Sequence, residues 1–152
     1  MVDKLTKAER SSNMSRIRGK DTGPELVVRS LLYKLGFRFR LHTKGLPGRP
    51  DIVMKRHRTI IFVHGCFWHR HRKCKDATVP KTRTAWWLEK LEGNAKRDKR
   101  NVGRLRYAGW RVLTIWECQT EKAAKLEMRL SRLLSATNKT VASRHRPAKK
   151  RL

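Results

Sequence analysis

The segment from His64 to Cys74, "HGCFWHRHRKC", concentrates the side chains that can do chemistry. It holds three of the six histidines, two of the three cysteines, a phenylalanine and a tryptophan. Imidazole and thiolate groups bind zinc, and a neutral imidazole is also a suitable general base near pH 7. Aromatic rings in a polar loop can stack on nucleic-acid bases. The segment therefore indicates a metal site, proton transfer and base stacking, and these three roles are compatible.

One set of residues in and beyond this segment has the composition of a zinc site. It uses every cysteine in the chain, in a Cys-x4-His-x2-Cys pattern followed by a distant cysteine: Cys66, His71, Cys74 and Cys118. Four such ligands complete a tetrahedron and leave no open position, which is typical of a structural zinc. His69 or His64 in place of His71 also fits the spacing. Small, buried, apolar cysteines are the alternative without a metal.

A carboxylate and two further histidines form a second candidate site. Asp51 ends the stretch "LPGRPD", and "FVH" at 62–64 follows with ten residues between them. This is the layout of PD-(D/E)-x-K nucleases, except that Phe62 and His64 replace the second acid and the lysine. A single carboxylate can still help to hold Mg2+, which keeps water and phosphate oxygens as further ligands. His64 and His69 are then available for proton transfer or charge stabilisation at a phosphate. The alternative for Asp51 is an ordinary turn residue.

Alternating helices and strands must position these groups. A helix is predicted over "PELVVRSLLYK", where Thr22 can cap the first turn and Glu25 stands three residues later, as in a capping box. "FRFRLH" at 37–42 alternates apolar and basic residues and predicts a strand with one buried face. "DIVM", "RTIIFVH" and "WRVLTIWEC" predict three further strands, and helices are predicted over 85–107 and 121–136. The order α-β-β-β-α-β-α indicates an α/β fold in which helices flank a mixed sheet.

A strong positive charge defines the class of partner. The chain has 39 Lys and Arg against 12 Asp and Glu, a formal net charge of +27. Such a surface binds nucleic acid because neutralised phosphates release their counterions. No apolar run approaches the ~20 residues of a membrane span and no signal peptide is recognisable, so we expect a cytosolic protein without a membrane partner. We expect a basic arm over 1–20, a folded domain over 21–136 and a disordered basic tail over 137–152.

Several motifs together resemble the very-short-patch repair (Vsr) endonucleases. They are "NM" at 13–14, "DT" at 21–22, "LPGRPD", "IFVHGCFWH", "TRT", "WLEK" and "RVLTIWEC", within a similarity that covers about residues 8–135. The resemblance implies a restriction-endonuclease-like fold with a structural Zn2+ and a catalytic Mg2+. It also implies that the protein nicks DNA next to the T of a T:G mismatch, which arises when 5-methylcytosine deaminates. Residues 21–136 would then be the endonuclease domain of a monomer that acts at the bacterial nucleoid.

The resemblance also implies catalytic roles for single residues. Asp51 would coordinate Mg2+, helped by the backbone carbonyl of Val63. His69 would be the general base for the attacking water, and His64 would assist at the phosphate. Glu25 would support the site from the first helix, while its interpretation as part of a helix cap stays open.

A further group would contact DNA. By the resemblance, three aromatic side chains form a wedge beside the mismatch: Phe67, Trp68 and Trp87. Trp86 competes with Trp87 for the third place, because both stand at a helix start. Met14 would insert from the N-terminal arm into the opposite groove. Lys90 and Asn94 lie four residues apart on one helix face and would read the shifted edges of the T:G pair.

The sequence departs from the family pattern at two places. Val63 stands where the family member has Thr, which removes any hydroxyl role, and one extra residue lies between His71 and Cys74.

The same scaffold could serve a restriction or nicking endonuclease that cuts matched DNA at a sequence or a modified base. Composition alone would also suit a basic, zinc-containing DNA-binding protein without catalysis.

Overall fold

The protein is built on one mixed four-stranded sheet, seen in a computed structural model that describes residues 5–17 and 19–143, with side chains up to residue 136. The strands are β1 (Arg40–Leu41), β2 (Ile52–Met54), β3 (Thr59–His64) and β4 (Arg111–Trp116). They lie in this order across the sheet. β1–β2 and β2–β3 are antiparallel, whereas β3–β4 is parallel. The mixed sheet confirms the predicted α/β architecture.

Helices cover both faces of this sheet. The α-helices of the described residues are α1 (Lys7–Arg16), α2 (Gly23–Lys34), α3 (Thr84–Tyr107), α4 (Glu117–Thr120) and α5 (Ala123–Ser143). α2 and α5 pack on one face, and α3 packs on the other. Within the described ranges, no helix combines the length and apolar character that crossing a membrane requires.

Two apolar cores, one on each face, determine which way the side chains of β3 point. Ile61 packs with α2 and α5, whereas Ile60 and Phe62 pack in the core beneath α3. A strand that is covered on both faces reads as a nearly continuous apolar run, as "TIIFV" does. Because side chains alternate along a strand, His64 lies on the α3 side with Phe62. The position of the second acid in the nuclease layout is thus part of the core.

The predicted strand over 37–42 is wrong in its extent. Only Arg40 and Leu41 pair with β2, and Leu41 is 41% exposed instead of buried. β1 is an edge strand beside a neighbour of three residues, so little backbone is available for pairing. Before it, Gly36 takes a positive φ of 82° and the Phe37 N–H bonds back to a carbonyl of α2, which keeps this segment in the helix cap.

Both ends of the chain are partly helical. α1 lies within the predicted arm and buries none of its side chains. α5 continues through Ser143, so the first seven residues of the segment predicted to be disordered are helical; 144–152 lie outside the described residues. This stretch contains no Gly or Pro, and an existing helix gains one hydrogen bond for each residue it adds.

Candidate active site

A cavity of about 810 Å3 brings the predicted catalytic residues together. It lies between the N-terminal arm, the start of α2 and the end of β3. The cavity is lined by the four predicted catalytic residues, Glu25, Asp51, His64 and His69, and by Val63. Met14, Phe67 and Trp68 line the same cavity. Residues from four separate segments of the sequence therefore face one space.

Asp51 stands immediately before β2 and is bonded to the neighbouring strand. Its Oδ2 accepts the backbone N–H of Val63 at 2.7 Å. Burial raises the pKa of Asp51 from 3.8 to about 6; the Val63 hydrogen bond opposes this rise and the Glu25 carboxylate adds to it. The backbone N–H and C=O of one strand residue point to the same side of the strand. The Val63 carbonyl therefore points to the side of β3 on which Asp51 lies, as the Val63 N–H does. A shielded carboxylate beside another acid is a place where a cation is stabilised.

His69 is held by an acid that the sequence analysis missed. Its Nδ1 lies 2.5 Å from Oδ2 of Asp98 on α3. An ionised carboxylate can only accept a hydrogen bond, so Nδ1 donates and Nε2 of a neutral His69 is left to accept a proton. The ring of His69 stacks on that of His64, with centroids 3.8 Å apart. This arrangement is suited to a general base with a fixed ring orientation.

His64 has a different character from His69. Its side chain is buried, and burial followed by the proximity of His69 lowers the pKa of His64 to about 4. At neutral pH it is therefore an uncharged ring that can donate or accept a hydrogen bond. The expected assistance at the phosphate would come from hydrogen bonding and not from a positive charge.

The position of Asp98 within the helical pattern of α3 could have identified it from the sequence. It lies seven residues from Leu91 and seven from Leu105, and both leucines are fully buried. Two helical turns separate such positions, so an acid stands in the middle of an apolar stripe. Glu117 is a second missed residue: it lines the cavity, and its Oε2 accepts the Cys66 N–H at 3.3 Å. At the end of a predicted strand, Glu117 had no comparable signal.

Glu25 takes part in the cap of α2 and also lines the cavity. Its N–H donates to the Thr22 hydroxyl at 3.4 Å, as expected of a helix cap. The reciprocal bond differs from a capping box, because Glu25 Oε2 accepts the N–H of Asp21 at 3.0 Å instead of that of Thr22. The carboxylate is 3% exposed and also lines the cavity. Capping thus places it beside Asp51.

The three cysteines and His71 converge on one point next to this cavity. Their ligand atoms all lie within 4.8 Å of one another. His71 Nδ1 is 3.4 Å from Cys118 Sγ and 3.6 Å from Cys66 Sγ. Ligand bonds of about 2.0 Å to nitrogen and 2.3 Å to sulfur at a tetrahedral angle would separate such atoms by about 3.5 Å. The donor set and its spacing therefore fit zinc, and the histidine in it is His71, since His64 and His69 group with Asp98.

Local backbone geometry forms this cluster. The His71 N–H bonds to the Cys66 carbonyl at 2.9 Å, which closes the loop between them. Lys73 takes a positive φ of 57°, so the chain makes a left-handed turn directly before Cys74. Cys118 lies on α4 and not on the predicted strand. Burial raises the pKa of the Cys66 thiol to about 12, so without a metal this sulfur is a neutral thiol.

The predicted wedge residues form one aromatic cluster, called the ring cluster below: Phe67, Trp68 and Trp87. The centroid of Phe67 is 5.0 Å from that of Trp68 and 5.4 Å from that of Trp87, and all three are half-buried. Trp86 contacts Trp87 edge-on but is 42% exposed, and the Lys90 ammonium lies 4.8 Å above its ring. Asn94 donates to the Trp68 carbonyl at 3.1 Å. Trp87 therefore belongs to the ring cluster, and Trp86 lies at its margin.

Comparison with known proteins identifies the class: the chain belongs to the Vsr family of DNA endonucleases. The family model for the DNA mismatch endonuclease Vsr matches residues 2–76. The DNA mismatch endonuclease Vsr of Escherichia coli (strain K12) is 48% identical over 126 residues, 83% of this chain and 80% of that protein. The type II nicking enzyme V.XorIIP of Xanthomonas oryzae pv. oryzae is 46% identical over 134 residues, 88% of this chain and 98% of that one. The nicking enzyme V.NmeAIP of Neisseria meningitidis is 41% identical over 134 residues, with 88% and 95% covered.

Proposed function

We propose that this protein nicks the DNA strand next to the T of a T:G mismatch by Mg2+-dependent hydrolysis, on a restriction-endonuclease-like scaffold. The observation that carries the proposal is the position of the ring cluster. Phe67 and Trp68 line the same cavity as Asp51 and His69. A hydrolytic group alone would serve any nuclease, whereas apolar rings beside it suit a site that opens the base stack.

Two metal ions fit the residues present. The carboxylate of Asp51 and the carbonyl of Val63 are oxygen donors, which Mg2+ prefers. Bound there, Mg2+ would supply positive charge next to the scissile phosphate. Zinc would be held by the cluster of three cysteines and His71, with no open position for substrate. Zinc bound there would hold the loop that carries Phe67, Trp68 and His69.

The remaining chemistry belongs to the protein side chains. His69 Nε2 takes a proton from water, and the oxygen of that water attacks phosphorus. A phosphorus–oxygen bond of the backbone then breaks, and the leaving oxygen takes up a proton from solvent. Asp98 accepts a hydrogen bond from Nδ1 and so orients the His69 ring, much as a buried acid does for other catalytic histidines. His64 stacks on one face of the His69 ring and so limits its tilting.

The ring cluster would act on the base pair. Each stacked ring contributes about 1–3 kcal/mol, which is comparable with the few kcal/mol that unstacking one step costs. A mismatched step is easier to open than a matched one, so this balance favours T:G. Met14, 44% exposed beside the cavity, would enter from the other groove. Lys90 and Asn94 would contact the edges of the mismatched bases.

One alternative has a specific observation in its favour. Five of the relatives are named type II nicking enzymes, a name that does not specify a mismatch, so nicking of matched DNA is the second candidate function. A binding protein without catalysis is disfavoured by Asp51. A buried carboxylate next to a phosphate repels it unless a cation lies between them, so a pure binder would lose nothing by lacking it.

A strand-resolved nicking assay with Mg2+ tests the proposal. The substrates are one duplex with a central T:G pair and its matched T:A and C:G versions, each with the two strands labelled differently. A single nick beside the mismatched T, absent with Asp51→Asn, is the expected result. Nicking of a matched duplex at one position would establish the alternative. Tight binding without cutting of any duplex, with flanks randomised, would refute both.

A further inference from the structure

Beside the proposed hydrolytic site, Arg29 of α2 lies at the centre of an ion cluster. Its Nη2 is 2.8 Å from Asp21 Oδ1 and 2.8 Å from Glu25 Oε2. The same nitrogen is 3.2 Å from Nε2 of His42. The Arg29 side chain is 13% exposed and that of Glu25 is 3% exposed. A guanidinium does not lose its proton in proteins, so the cluster contains a permanent buried cation.

The hydrogen bonds of Arg29 show what this cation serves. Nη2 carries two hydrogens and faces three acceptors, so the two carboxylates, which are nearest, take them and His42 is the third neighbour. In the described part of the chain, Nε of Arg29 is buried and has no hydrogen-bond partner. An unpaired buried donor is destabilising. The two carboxylates thus have a hydrogen-bond donor from Arg29, while the Nε–H of Arg29 has no acceptor.

The three residues around Arg29 have the composition of a divalent metal site. One ligand atom from each of Asp21, Glu25 and His42 lies within 4.8 Å of the other two. Two carboxylate oxygens and an imidazole suit ions such as Mn2+. The arginine nitrogen contacts all three of these atoms. It thus has the place that a metal ion bound to them would have.

The cluster is joined to Asp51 through two residues. The backbone N–H of His42 donates to the Asp51 carbonyl at 3.2 Å. Glu25 lines the cavity together with Asp51. The position of the Glu25 carboxylate therefore matters at Asp51, and Arg29 is the charged group that fixes it.

We propose that Arg29 is a positioning residue that serves the hydrolytic site as a built-in cation: it fixes the Glu25 carboxylate and fills a place that a divalent ion would otherwise take. The positioning role rests on the proposed function, because it acts on a nuclease site. The replacement of a metal ion does not rest on the proposed function, because it concerns ion binding by the protein without DNA.

Counting Mn2+ ions tests the second part without any substrate. The measurement is the loss of the free Mn2+ signal in electron paramagnetic resonance, with zinc-replete protein that carries Asp51→Asn to remove the proposed Mg2+ site. Adding Arg29→Ala should create about one further Mn2+ site per chain. Arg29→Lys, which keeps the charge, should create none. Lys34→Ala is the matched control, since it removes an exposed positive charge from the same helix.

Circular dichroism shows which variants fold, and Arg29→Gln replaces the alanine variant if that one does not. A folded variant without the charge that binds no more Mn2+ than its parent overturns the metal-replacement part. In the Asp51-containing protein, Arg29→Ala should slow single-turnover nicking on the order of tenfold or more. Its affinity for duplex DNA should stay close to that of Lys34→Ala, and Arg29→Lys should recover much of the rate.

An unchanged nicking rate in Arg29→Ala overturns the positioning role. If the unsubstituted protein nicks no T:G duplex, the proposed function fails, and the Mn2+ count still decides whether Arg29 replaces a metal ion. The two failures are therefore distinguishable.

Discussion

The Asp51→Asn substitution should stabilise the metal-free protein at neutral pH, although Asp51 belongs to the proposed active site. The asparagine oxygen can still accept the Val63 N–H that Asp51 accepts at 2.7 Å. What it lacks is the negative charge, which burial and the Glu25 carboxylate disfavour. An active-site residue that reduces stability in the absence of its ligand is expected when its charge is needed for binding.

The size of this effect follows from the pKa of Asp51. Burial raises that pKa from 3.8 to about 6, and each pKa unit corresponds to 1.36 kcal/mol, so the ionised side chain costs about 3 kcal/mol of folding free energy. Because the pKa is raised, the folded state holds the proton more tightly than the unfolded chain. Stability of the unsubstituted protein therefore falls as the pH rises from about 4 to about 6. The asparagine variant lacks this loss.

The difference in unfolding free energy between Asp51→Asn and the unsubstituted protein is measured by urea unfolding between about pH 5 and pH 8. Both proteins are zinc-replete and the buffer is free of Mg2+. The stability difference should be about 1.5 kcal/mol at pH 5 and about 3 kcal/mol at pH 8. Other titrating groups cancel because only the difference between two proteins is used. Adding Mg2+ should stabilise the unsubstituted protein alone and narrow the gap. A variant that is no more stable at pH 8, or a difference that does not change with pH, would refute the reasoning.

Four other predictions follow, three from the site and one from the basic C-terminal segment. Asp98→Asn should slow single-turnover nicking by about a hundredfold or more, because His69 loses its orienting acid, while duplex affinity is kept; an unchanged rate would contradict this. Cys118→Ser should lower the zinc content below one per chain and lower the melting temperature, and full zinc retention would speak against the proposed ligand set. Trp68→Ala should weaken T:G duplex binding by about 1–3 kcal/mol in fluorescence anisotropy, whereas Trp86→Ala, outside the ring cluster, should keep the preference for T:G over T:A. Equal losses in both variants would count against the wedge. Deleting 137–152, which removes six Lys or Arg, should reduce the slope of log Kd against log salt by about 0.9 for each DNA phosphate that the tail neutralises; the same slope would exclude a role for the tail.

Part of the fold was predictable because its signals are local. The Thr22 cap marked the start of α2, and the apolar run of β3 marked a strand covered on both faces. From that strand, alternation alone places His64 on the side of Phe62. The strand over 37–42 could not be placed correctly, because the length of an edge strand depends on how much of its neighbour is available for pairing.

The candidate site divides in the same way. The sequence by itself determined the chemistry on offer: thiols and imidazoles for zinc, a carboxylate for Mg2+, and rings for stacking. Only the tertiary structure decided the partners, since His69 meets Asp98 from 29 residues away and His71 joins the cysteines. It also set the pKa of Asp51. The physical reason is that distance in space and exclusion of water depend on every segment that surrounds a group, and spacing along the chain records only the nearest of them.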